Sequence, residues 1–427
     1  MKHKTKRILT LLMAVAMVLA LPVISASAAD LTFEDSAPYK CTNTTDLQIY
    51  IGPYTDTSGY YADIKTAAVT VDLYKVADAV QETTTPNHGS MYVFSPASSE
   101  FSTILSKTTK YDDLKTLNNT DWQTMAQSLA NKMFGGSSAS IPSGVTKETL
   151  QAAAGDGITA KKSVGAGLYL VIAHGTALGD DTSKYVVKDG TNVKTKAESD
   201  HYVYYYTPEL IALPTTVTKM GVSVQNPTDT QPAGTYNNPL PSTAGGQWQT
   251  EVTALLKPTR TYRMGKLVVQ KNLPAIEEHS DATFIFHVTG TYDYGGPGVT
   301  LDKPIKVYDN DLTITFNTQD GGGILAYYEP TTKQYYIELP VGTKVNVEEI
   351  YPGSCYKQDG PTAYSIADQR IPVPVTDDTA LTVTTKNIYD GNIITGYGIQ
   401  NTFQWNGSQW IHYINGVEQP TSGGGSK

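Results

Sequence analysis

Apolar residues recur at every second position through much of this 427-residue chain, a spacing that fits half-buried strands and not helices. The clearest instance is Gly265-Lys266-Leu267-Val268-Val269-Gln270-Lys271. Side chains of a strand take opposite faces in turn, so Leu267 and Val269 share a face and Lys271 shares it with them. An ammonium aimed at an apolar core is costly unless it is paired or neutralised. The same parity turns Glu349 inward beside Val345 and Val347, with Glu348 facing out, and sets Asn401 between Ile399 and Phe403. A lysine, a carboxyl and an amide aimed inward from three strands suggest one buried polar site. The plainer alternative is a buried ion pair beside an amide, or strand ends whose polar residues reach water.

Composition agrees with a β-protein. Tyrosine outnumbers phenylalanine 29 to 8, glycine and proline reach 36 and 23, and only 17% of residues are charged. Residues 1–28 read as a secretory signal: Lys2, Lys4, Lys6 and Arg7 precede the apolar run 8–24, and Ala26-Ser27-Ala28 supplies the small-residue cleavage site. Secretion to the cell surface or cell wall is the expected localisation, with no membrane attachment after cleavage. Losing those four cations takes the formal charge from −9 to −13, which argues against nucleic acid as a partner. Two cysteines, Cys41 and Cys355, are too few for a disulfide framework; one bridge and two free thiols are both open.

Along the chain, strands are expected at 47–51, 68–74, 167–173, 201–206 and 247–256, with Lys75 either facing inward or snorkelling to water at its strand's end. One helix stands out over 121–134: Asp121 can cap it, Trp122, Met125, Ala126, Leu129 and Met133 form its apolar stripe, and Gly135-Gly136 ends it. A second short helix is expected at 147–154. Residues 225–246 read as loop. A second domain opens at about 263, with further strands at 282–289, 312–316, 334–339, 344–350, 380–385 and 399–403. The expected organisation is mainly β, with two β-sandwich (Ig-like) domains in tandem, the first carrying a helical insertion: 29–262, then 263–405, then a polar tail at 406–427.

Motifs for turnover chemistry are missing. There is no phosphate-binding glycine loop, no His-Glu-x-x-His, no Cys-x-x-Cys and no nucleophile elbow, so no metal or cofactor is called for and the chain is not expected to be an enzyme.

Val69-Thr-Val-Asp-Leu-Tyr-Lys75, Gly167-Leu-Tyr-Leu-Val171 and Tyr206-Thr-Pro-Glu-Leu-Ile-Ala-Leu-Pro214, taken in order, resemble the amino-terminal domain of sortase-assembled pilins of Gram-positive bacteria. The Lys271 strand, Phe284-Ile-Phe-His-Val288, Glu349 followed by Pro352 and Tyr356, and Asn401-Thr402-Phe403 resemble a CnaB-type pilin domain. The resemblance implies an autocatalytic intramolecular isopeptide bond, with Lys271 attacking the side-chain carbonyl of Asn401, Glu349 shuttling the proton and ammonia leaving. Burial favours the neutral amine of a lysine and the protonated carboxyl of a glutamate, which is the pair this chemistry needs. It implies also that Lys257, before Pro258, accepts the sorting-signal carbonyl of a neighbouring subunit; an ordinary surface lysine is the other reading.

Pilins that polymerise carry Leu-Pro-x-Thr-Gly before an apolar span, and 419–427 shows neither, so the expectation is of a truncated sequence or of a secreted relative that does not polymerise. The implied function is a structural subunit of a cell-surface pilus or fimbria, with other pilin subunits and a pilus sortase as partners. The alternative is an adhesin module that binds a host glycan or matrix protein.

Overall fold

The computed structural model describes residues 28–418, apart from 53–59, 84–90, 115, 152–158, 160, 177–180, 216–218, 222–247, 274–281, 317–322, 354–355, 360–364, 390–400, 406–409 and 415–416. The signal segment, the 225–246 loop, Cys355 and the end of the tail therefore lie outside the described residues. Cys41 is buried.

The described elements are mostly strands, arranged as two β units in succession. In the first, the strand Val69–Gln81 is a middle layer. Its odd-numbered side chains Val69, Val71 and Leu73 pack with Leu47 and Ile49 of Thr44–Tyr50, whereas Tyr74 and Val76 pack with the helix Asn119–Phe134. Nine of that strand's thirteen residues are buried, because both faces are covered. A register shift between Lys75 and Ala77 then reverses the parity, so Ala77 and Ala79 join the helix side. Lys75 sits at this shift, about a quarter exposed, with its amine 2.6 Å from Asp78.

The helix is an insertion between strands, and its apolar stripe meets the sheet as expected. Its cap is Asn118 and not Asp121: Asn118 Oδ1 accepts from the N–H groups of Thr120 and Asp121, and the Asp121 carboxylate answers the N–H of Asn118. The short helix expected at 147–154 is absent over its described part. Thr146–Gln151 is a strand paired with residues 70–75 of Val69–Gln81, and the ladder bonds it gains there outweigh the helix-forming tendency of Lys147, Glu148 and Leu150.

The second unit is a sandwich of two sheets. One places Met264–Leu273 between Ala380–Tyr389, which runs parallel to it, and the antiparallel pieces Gly323–Ala326 and Ile337–Pro340. The other is ordered Val299–Phe316, Ala282–Gly296, Lys344–Tyr351, Ser365–Arg370. Leu267, Val269 and Val383 from the first sheet meet Phe284, Phe286, Val288, Val345 and Val347 from the second, as alternation requires.

The two units meet over buried polar and aromatic groups. Asp63 of the first accepts from Ser199 and Tyr204 of its own unit, each at 2.6 Å, and from Tyr294 of the second at 2.7 Å. His201 stacks on Tyr294 with ring centroids 3.5 Å apart, and its Nδ1 lies 3.1 Å from the Val341 carbonyl oxygen. Gly342, at φ +83°, must lack a Cβ here because one would sit 2.6 Å from the His201 ring.

Beyond the sandwich, the stretch expected to be a polar tail carries strands at Trp410–Ile414 and Val417–Glu418, which form a three-stranded sheet with Asn401–Trp405.

Candidate functional site

Lys271 has no exposed surface. Burial alternates along Met264–Leu273, and the lysine takes the inward turn between Val269 and Leu273. Glu349 arrives from the facing sheet on Lys344–Tyr351, inward beside Val345 and Val347, while Glu348 is half-buried. The two side chains span the sandwich, and the Lys271 amine lies 2.5 Å from Glu349 Oε1. The rings of Phe284 and Phe286 stand 4.9 and 5.8 Å from the amine, and Tyr356 packs edge-on against Phe284.

An asparagine that the sequence reading did not single out, Asn387, lies beside this pair. Asn401 begins the strand Asn401–Trp405, which pairs with Trp410–Ile414 in a separate sheet. Asn387 lies on Ala380–Tyr389, whose parallel register sets Thr385 opposite Lys271. Thr385 and Asn387 continue the inward face of Val383 and are both fully buried. Asn387 Nδ2 donates to Glu349 Oε1 at 3.2 Å and to the Pro352 carbonyl at 3.0 Å. One carboxyl oxygen thus bonds both the lysine amine and the amide nitrogen. The Lys271 amine also donates to Thr385 Oγ1 at 3.3 Å.

Two oxygens of the cluster, Glu349 Oε2 and Asn387 Oδ1, are buried with no hydrogen-bond partner. Buried polar atoms are nearly always paired, so two unpartnered oxygens in one cluster set it apart from an ordinary buried ion pair. Burial pulls the Lys271 amine down from 10.5 to about 8, against the bond to Glu349 that favours its charge. At pH 7 such a shift raises the neutral, nucleophilic fraction about 300-fold, to roughly a tenth of the amine. The geometry brings together a partly neutral amine, a carboxyl that touches both nitrogens and a side-chain amide whose nitrogen can leave.

Lys257 lies apart, after the strand Glu251–Leu255 of the first unit. Its parity is as expected: Val252, Ala254 and Leu256 are buried and Lys257 is exposed. Exposed by area, its amine still has enough protein around it for desolvation to lower its pKa, which the charge of Glu209 opposes. Glu209 itself is buried at the start of Glu209–Leu213, and burial pushes its carboxyl up to about 8. Sequence reading had attached no role to Glu209, Thr385 or Asn387. Carrying the parity of Leu381 and Val383 four residues further would have found the last two.

Among the described residues no group of three or more His, Cys, Asp or Glu side chains is placed to hold a metal ion. No helix among them is long and apolar enough to cross a membrane.

No family model and no curated protein matches the chain. Solved structures do. The chain is similar to the shaft pilin SpaA of Lactobacillus rhamnosus GG (15% identity, 30% of this chain and 48% of that one, TM-score 0.16). It is similar to the minor pilin GBS52 of Streptococcus agalactiae (12% identity, 82% and 97%, TM-score 0.18). It is similar also to the major pilin T3.2 of Streptococcus pyogenes (12% identity, 82% and 98%, TM-score 0.19). The match to the SpaA chain spans about half of that chain's length. At these identities and TM-scores no residue role carries across, and what the cluster does must come from its own atoms. These three solved chains are pilins, and bacterial adhesins stand among the other solved chains to which this one is similar.

Proposed function

We propose that this chain is a structural subunit of a cell-surface pilus, and that its second unit is closed by an isopeptide bond between Lys271 and Asn387. The observation that carries the reading is the single carboxyl oxygen, Glu349 Oε1, hydrogen-bonded to both the attacking and the leaving nitrogen in a fully buried site. The neutral Lys271 amine attacks Cγ of Asn387. Glu349 takes a proton from Nζ and returns one to Nδ2, so the C–N bond to Nδ2 breaks and ammonia departs. Nothing is oxidised, no cofactor enters, and the step runs once per molecule.

The bond joins the first and last strands of the sandwich, which are parallel neighbours. Pulled from opposite ends, such a pair is loaded in shear, and tension would pass along Met264–Leu273 to Lys271 and cross directly to Asn387. A subunit that bears load along a fibre gains from this arrangement, since the sheets between the two tie points carry none of it. Lys257 is the candidate acceptor for a neighbouring subunit, placed on the surface of the other unit and beside Glu209, with a sortase as the enzyme that would join them.

Intact mass tests the bond. The mature protein is expected to be lighter by one ammonia than its sequence requires, with a Lys271–Asn387 cross-linked peptide after digestion. A full-mass protein would end the proposal. Co-expression with a pilus sortase tests assembly: a covalent ladder joined through Lys257 is expected, and a ladder joined through another lysine would remove Lys257 from the account.

A further inference from the structure

Thr385 is fully buried and stands directly opposite Lys271 in the parallel register. Among the described residues its hydroxyl has two contacts: it donates to the Gln270 carbonyl at 3.4 Å and accepts from the Lys271 amine at 3.3 Å. The hydroxyl proton is therefore committed to the backbone, which leaves an oxygen lone pair turned to the lysine. A neutral amine has two N–H bonds and one lone pair. One N–H is held by Glu349 Oε1 and the other by Thr385 Oγ1, so the remaining tetrahedral direction belongs to the lone pair. With one N–H on Glu349 Oε1, rotation about the terminal C–N bond would otherwise let the lone pair exchange places with the second N–H, over two orientations.

We propose that Thr385 is a positioning residue for isopeptide formation: by holding one N–H of Lys271 it fixes the amine's rotor so that the lone pair is free for Asn387. This deepens the isopeptide reading and rests on it. Orientation of this kind acts on rate and not on whether the bond can form at all, because misaligned attack is slowed and not abolished. The same contact stabilises the ammonium, so its removal lowers the amine's pKa further. Loss of the hydroxyl should therefore do two things at once: lower the plateau rate, and move the alkaline-rising limb of the pH–rate profile to lower pH. A vacated methyl or hydroxyl that only loosened packing would do the first without the second.

The test uses the full mature chain recovered from inclusion bodies in denaturant, a chain that has not folded and whose starting intact mass is checked to still include the ammonia. Dilution into buffers from pH 6 to 10 starts the reaction, and intact mass follows the loss of ammonia with time. Thr385→Val keeps the shape and removes the acceptor; Thr385→Ser keeps the acceptor. Thr385→Val is expected to be slower than the parent by roughly 10-fold or more, with its limb at lower pH, and Thr385→Ser to stay within a few-fold of it. A Thr385→Val chain that reacts at the parent rate overturns the proposal, and so does a Thr385→Ser chain as slow as Thr385→Val. Should Thr385→Val fail to refold, Thr385→Ala against Thr385→Ser carries the same comparison. A parent chain that never loses ammonia is a different result: it removes the isopeptide reading itself, and this inference falls with it.

Discussion

Asn387→Ala removes the acceptor carbonyl and leaves the Lys271–Glu349 pair intact, so it separates the covalent tie from the buried charge pair. The consequence is clearest under load. With Lys271 bonded to Asn387, residues 272–386 lie outside the path of tension and contribute no extension. At 3.3–3.6 Å for each extended residue, that is a hidden contour of roughly 400 Å. Single molecules held by handles at the two ends should show no extension step from the second unit in the parent protein. In Asn387→Ala a step of about 400 Å should appear when the unit yields.

Equilibrium unfolding should move in the same direction. By analogy with a disulfide that closes a loop of about 100 residues, the lost tie is worth about 4–5 kcal/mol. The choice of asparagine is tested in the same experiment. Asn401→Ala should leave both the mass deficit and the hidden contour untouched. A parent protein that yields a full-length step, or an Asn401→Ala protein that gains one, would refute the Lys271–Asn387 tie.

Three other outcomes follow from the charges and from the joint between units. In Asn387→Ala the free Lys271 amine has a folded pKa of about 8 against 10.5 when unfolded, so between those values the unfolded state binds more protons. Stability of that variant should rise with pH across this window, by about 3 kcal/mol at most, relative to Asn387→Ala with Lys271→Met; in the cross-linked parent the amide nitrogen does not titrate and the rise attributable to Lys271 should vanish, as measured by denaturant midpoints. Glu209 shows the opposite sign: its carboxyl is raised from 4.5 to about 8, so its contribution is complete below pH 4.5 and is lost as pH climbs to 8. Glu209→Gln should match the parent in stability near pH 4 and exceed it at pH 8, while thermal unfolding at the two pH values reads the difference. Tyr294→Phe removes a hydroxyl that reaches Asp63 from the second unit, at a cost of about 0.5–1.5 kcal/mol for the lost hydrogen bond. Small-angle scattering should then show a wider spread of angles between the units, with each unit's own melting little changed.

The lysine and the glutamate were legible because each obeys its strand's own alternation, a property of five to seven consecutive residues. Parity alone chose Glu349 over Glu348. The asparagine was not legible in that way. Reading 380–385 as the whole strand stopped at Lys386-Asn387, residues of low strand preference. They continue the strand in the fold because Lys386 pairs with Asn272 and Asn387 with Gln358, ladder partners that no local pattern contains. Asn401 looked equally good by its apolar neighbours, and it does begin a strand, but one that belongs to another sheet.

Alternation reports which way a side chain points and not what lies across from it. Sheet membership is non-local: Lys271 and Asn387 are adjacent only because the last strand of the sandwich returns parallel to the first. That parallel return is also what would make the proposed tie mechanically useful. An antiparallel neighbour joined by a hairpin would have put both tie points near one turn and bypassed only a few residues. A parallel neighbour needs a long connection before it can pair, so a bond across it encloses nearly the whole unit. In the proposed tie the acceptor stands on the closing strand that pairs with the lysine's own, at an inward position two residues past the register partner, as Asn387 is past Thr385.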